Sequence, residues 1–80
     1  MKELVEYVVK SLVDHPDEVE VHAEDYENDM LLELSVAGGD MGRVIGKKGR
    51  VINAIRTLAK VSAAKQGKTV SVELLEVDER

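Results

Sequence analysis

Eighty residues, against the roughly 100–200 of a typical domain, leave room for one small domain over residues 1–80, and a composition 44% hydrophobic and 34% charged excludes a disordered chain. The lack of cysteine excludes disulfide frameworks, thiol nucleophiles and cysteine-based zinc sites, and without a ~18-residue apolar run or a signal-like start after Met1-Lys2-Glu3-Leu4 the expectation is a cytoplasmic protein with no membrane insertion. The net charge of −5 would argue against a polyanionic partner if evenly spread, but Arg43, Lys47, Lys48, Arg50, Arg56, Lys60, Lys65 and Lys68 put +8 and no acid between Met41 and Val72, leaving −13 in the rest.

Leu4, Val5, Val8, Val9, Leu12 and Val13 recur at helical spacing opposite Lys2, Glu3, Glu6, Lys10 and Asp14, which predicts an amphipathic helix over residues 2–14. His15-Pro16-Asp17 ends it. The period then changes to two. Glu18 to Glu24 alternates polar and apolar as a strand, Asn28-Asp29 supplies a turn, and Met30, Leu32, Leu34 and Val36 line one side of a second strand, so a hairpin is expected. Ala37-Gly38-Gly39 breaks that strand, and Asp40 is placed to cap a short helical turn through Met41–Ile45. A long helix is predicted from about Arg50 to Gln66, closed by Gly67, and Thr69–Leu74 alternates as a third strand. The order α-β-β-α-α-β implies an α+β fold, a three-stranded sheet with helices on one face and Glu18, Glu20, Glu24 and Glu33 wetting the other.

Val44-Ile45-Gly46-Lys47-Lys48-Gly49-Arg50-Val51-Ile52 is the informative segment. Two glycines three apart let a loop turn sharply and let a sugar–phosphate backbone approach the peptide, while the following helix start offers unpaired N–H groups and positive dipole. Lys47 and Lys48 add charge at the same spot, and Val44, Ile45 and Val51 or Ile52 would flank it with apolar surface for bases.

At these residues the chain resembles the KH domain, whose signature is two aliphatic residues, Gly-x-x-Gly, and an aliphatic residue three positions on. The element order matches the type II arrangement, and Gly42 to Arg50 followed by Ala54-Ile55-Arg56-Thr57-Leu58 is similar to the bacterial KhpA family of stand-alone single-KH proteins. The resemblance implies single-stranded RNA as the partner, with Gly46 to Gly49 clamping about four nucleotides of backbone and with Arg43, Val44, Ile45, Gly46, Lys47, Lys48, Gly49, Arg50, Ile52 and Arg56 as contact residues. It also implies an RNA chaperone acting in post-transcriptional regulation and in control of cell elongation and division, pairing with itself or with a larger Jag-type KH protein. Two tyrosines and no Phe or Trp disfavour RNA-binding folds that stack bases on aromatic platforms.

Competing chemistries fail on spacing. A Walker loop needs four residues between its glycines, whereas Gly42 and Gly46 enclose three, and Lys48 stands where Ser or Thr would bind magnesium. Asp25, Glu27 and Asp29 begin like a calcium loop, but Met30 and Val36 occupy its glycine and glutamate positions. His15 and His22 suggest solvated histidines without a third ligand, and the serines form no sequence-level triad. No enzyme, metal or cofactor is therefore expected.

The long helix has more apolar circumference than one sheet contact needs. At ~100° per residue, Val51, Ile52, Ile55, Ala59 and Ser62 share one face, and Ala54, Leu58 and Val61 form a second stripe beside it. That stripe is expected to be a dimer interface unless the first helix covers it.

Overall fold

The structure, a computed structural model, describes residues 1–75. Helix α1 (Lys2–Lys10) buries Val5 and Val9 and leaves its charged side to solvent. It stops four residues short of the predicted end. Ser11 caps it, its Oγ donating to the Tyr7 carbonyl oxygen at 2.8 Å. The reason for the early stop lies 25 residues away: the amides of Asp14 and His15 donate to the Asp40 carboxylate at 3.2 and 3.0 Å, which a continuing helix would have committed to its own carbonyls.

Pro16–Glu18 forms a tight 3-10 turn rather than the start of a strand, so Glu18 is not part of the wet sheet face as expected. Strand β1 (Glu20–Asp25) pairs antiparallel with β2 (Asp29–Ser35), in a register that sets Val21 opposite Leu34 and Ala23 opposite Leu32. β3 (Thr69–Leu74) lies parallel to β2 on its other side, with Val72 opposite Leu32. The sheet order is therefore β1-β2-β3. Because side chains alternate between faces, Val21, Leu32, Leu34, Val70 and Val72 all point into the core while Glu20, His22, Glu24, Glu33 and Glu73 point away. The face without helices thus carries the acidic side chains of Glu20, Glu24, Glu33 and Glu73.

Helix α2 (Met41–Ile45) and helix α3 (Arg50–Ala64) return over the same face as α1; α1 packs on β1, α3 on β3, and α2 on α3. α3 buries Ile52, Ile55, Ala59 and Ala63, so its buried face is rotated from the predicted one: Ala63 replaces Ser62, and Val51 is only half-buried. The helix ends two residues early, and Gly67, at φ 75°, turns the chain so that the Lys68 amide reaches the Ala63 carbonyl oxygen at 3.0 Å. Among the described residues, no helix is long and apolar enough to cross a membrane.

Candidate nucleic-acid interface

α2 and α3 meet at the glycine loop. Gly46 leaves α2 at φ 75°, ψ 175°, Lys47–Gly49 make one 3-10 turn, and Gly49 enters α3 at φ 75°, ψ 16°. Between them Lys48 is held at φ 58°, ψ 26°, the left-handed region that side chains other than glycine rarely adopt. The Gly46 amide donates to Gly42 at 2.9 Å and the Gly49 amide to Gly46 at 3.2 Å, whereas those of Lys47 and Lys48 find no backbone acceptor among the described residues. The loop therefore presents two free N–H donors beside two exposed ammonium groups, with the exposed Arg50 at the helix start. Among the described residues no carboxylate lies within ion-pair distance of Lys47, Lys48 or Arg50. This combination suits a phosphate.

The other expected contact residues divide. Ile45 is 38% exposed and Val51 half-buried, so apolar surface does flank the loop. Val44, fully buried, and Ile52, 6% exposed, belong instead to the core beneath it, where they support the loop rather than offer surface to a base. Arg43 pairs with Asp14 at 3.2 Å. Arg56 is drawn away from the loop, its Nε donating to the Val72 carbonyl oxygen of β3 and its Nη1 to Asn53 Oδ1, both at 3.2 Å.

The sequence predicts Asp40 as a helix cap and His15 as a solvated side chain; His15 is exposed, and only Asp40 departs from its expectation. Asp40 makes no side-chain cap; it is buried and fastens the α1–β1 connection, accepting from the Asp14 and His15 amides and approaching His15 Nδ1 at 3.1 Å. Burial pushes its carboxyl up, but the hydrogen bonds from Asp14 and His15 outweigh that and hold it below the usual carboxylate range. The same hydrogen bond, with the charge of Asp40, raises His15. With the Arg43–Asp14 pair these contacts anchor α2, and through it the loop, to the end of α1.

Among the described residues, no group of three or more His, Asp or Glu side chains could hold a metal ion.

The model of the KhpA/KhpB KH-domain family matches residues 2–74. The chain belongs to that family. Its α-β-β-α-α-β order and mixed three-stranded sheet are those of a type II KH domain. The chain is similar to the RNA-binding protein KhpA of Clostridium acetobutylicum, at 53% identity over 75 residues covering 94% of this chain and 100% of the relative. It is 52% identical, over the same shares, to the RNA-binding protein KhpA of Clostridium perfringens. With the protein of that name from Listeria monocytogenes it shares 45% over 76 residues, 95% of this chain and 100% of the relative. No solved structure matches it significantly.

Proposed function

We propose that this KhpA-family chain binds single-stranded RNA, with Gly46-Lys47-Lys48-Gly49 clamping the sugar–phosphate backbone and Ile45 and Val51 supporting bases. The observation that carries the reading is Lys48 at φ 58° between two positive-φ glycines, with the Lys47 and Lys48 amides unpaired by backbone. Strain of this kind persists where the surrounding structure enforces it, and here it leaves the Lys47 and Lys48 amides without a backbone acceptor beside two exposed ammonium groups, which suits an anion. The names of the relatives support the same partner. By family resemblance, the reading extends to an RNA chaperone in post-transcriptional regulation and in cell elongation and division.

Lys47, Lys48, Arg50 and a released Arg43 neutralise ~3–4 phosphates, which predicts a slope of log affinity on log salt near −2 to −3 at about −0.7 per phosphate. Measuring binding across salt concentrations tests it, and a flat response would overturn it.

A second reading, that of a pairing module, is favoured by a separate observation. Leu58 and Val61 are 48% and 55% exposed, with exposed Ala54 on the same flank of α3. α1 does not cover them, and it adds exposed Leu4 and Tyr7 of its own. Apolar surface left open on two neighbouring helices suits a second copy of the chain, or a larger Jag-type KH protein. The two readings are compatible, and pairing would double the RNA sites per particle.

A further inference from the structure

Arg43 differs from the other cations at the glycine loop. Lys47, Lys48 and Arg50 have no carboxylate within ion-pair distance among the described residues, whereas Arg43 Nη2 lies 3.2 Å from Asp14 Oδ2. No acid occurs in the sequence between Met41 and Val72, so this carboxylate comes from outside the basic segment, from the connection between α1 and β1. An exposed ion pair ordinarily contributes little, because two mobile side chains must be held in one geometry. Here one buried group already ties the two backbones together. Asp40, which directly precedes α2 and is 2% exposed, accepts from the Asp14 amide at 3.2 Å and from the His15 amide at 3.0 Å. Arg43 follows in the last turn of the same short helix, beside Gly46.

We propose that Asp14 limits the affinity of the RNA site: its carboxylate takes the place of a phosphate on Arg43, and a strand reaches that guanidinium only by displacing it. This rests on the RNA reading of the glycine loop, to which it adds an internal competitor. Carboxylate and phosphate both offer a guanidinium the paired oxygens that match its fork of N–H donors, so Arg43 cannot serve both fully. While the pair holds, unpaired positive charge is confined to Lys47, Lys48 and Arg50 at the loop itself, and a polyanion that touches only α2 meets a neutralised cation. The exchange is easily reached by a strand already held at the loop. The Arg43 and Asp14 side chains are 56% and 62% exposed, so a phosphate has access to the first and water solvates the second once it is displaced.

The test measures binding of random-sequence single-stranded RNA, by competition against a labelled strand across salt concentrations, for the unaltered protein, Asp14→Asn, Arg43→Gln and the double variant. Asparagine keeps the backbone amide that Asp40 holds and removes only the charge. Asp14→Asn is expected to raise affinity about threefold, the factor corresponding to ~0.7 kcal/mol. The slope of log affinity on log salt should steepen by about 0.7, the value of one phosphate, because no displaced carboxylate then takes up a counterion in exchange. Loss of folding cannot imitate a gain. In the Arg43→Gln background the gain should be lost, since the carboxylate has no guanidinium to withhold. An equal gain with and without Arg43 would mean general repulsion of RNA by Asp14 and would overturn the proposal. Unchanged or weaker binding by Asp14→Asn, folded by circular dichroism, would overturn it too. If that variant unfolds, Asp14→Ser, which also keeps the amide, is read by the same comparisons. Absence of RNA binding by the unaltered protein at every salt concentration would instead overturn the loop reading, and the competitor with it.

Discussion

A Cβ built on Gly46 would stand 2.4 Å from Val51 Cγ2 and 2.9 Å from the Val51 amide nitrogen. The first glycine is thus required twice, by the space that Val51 occupies and by its own φ of 75° with ψ 175°, a conformation nearly confined to glycine. Gly49 is required once: its φ is also 75°, but nothing lies nearer than 3.7 Å to where its Cβ would be. The two alanine variants should therefore differ. Gly46→Ala is expected to cost about 3 kcal/mol or more from strain and clash together, and Gly49→Ala ~1–2 kcal/mol. At ~4–8 °C per kcal/mol for a domain of this size, thermal melts should separate them clearly. Equal melting temperatures would contradict the packing described.

Lys48→Gly separates folding from binding. Glycine removes a left-handed penalty of ~1–2 kcal/mol and adds ~0.5–1 kcal/mol of chain entropy, so the variant should melt at or slightly above the parent. Its RNA affinity should nonetheless fall, because one of the loop ammonium groups is gone. A variant that is both less stable and equally tight would show that Lys48 holds the loop rather than the ligand.

The His15–Asp40 contact sets a pH window. His15 is raised, so its contribution to stability is full below the ordinary imidazole value of about 6.5 and is lost as pH rises through its folded pKa. Asp40 is lowered, so its contribution is full above the ordinary carboxylate value of about 3.9 and is lost as pH falls through its folded pKa. The destabilisation caused by His15→Ala should consequently be greatest between about pH 4 and 6.5 and shrink at alkaline pH. NMR titration should place His15 above its ordinary value, and Asp40→Asn should lower it, since Asp40 is the largest cause of the rise.

Leu58→Asp tests the pairing surface. Since Leu58 is 48% exposed, the variant should keep its fold while losing self-association in sedimentation at micromolar concentration. A parent protein that sediments as a monomer throughout that range would remove the interface.

The six main elements were legible because each rests on a local signal: period 3.6 in α1 and α3, period two in the strands, glycine at the breaks. The loop was legible for the same reason, its glycines and lysines being contiguous. Contacts distant in sequence were not. α1 ends at Lys10 because Asp40 claims the amides of Asp14 and His15, and no window of sequence around either shows that. Likewise hydropathy marks Val44, Ile45, Val51 and Ile52 as apolar but not which of them the core takes, and α2 packing on α3 decides it in favour of Val44 and Ile52.

Whether the loop between Gly46 and Gly49 holds RNA backbone is tested by the RNA affinity of the Lys47→Asp, Lys48→Asp double variant, with its fold verified by circular dichroism. Both side chains are exposed and the glycines are untouched, so the fold should persist. Two ammonium groups replaced by carboxylates facing phosphate should lower affinity by about a hundredfold, at ~1.4 kcal/mol for each tenfold. A folded double variant that binds single-stranded RNA as tightly as the parent would show that the loop does not hold the strand.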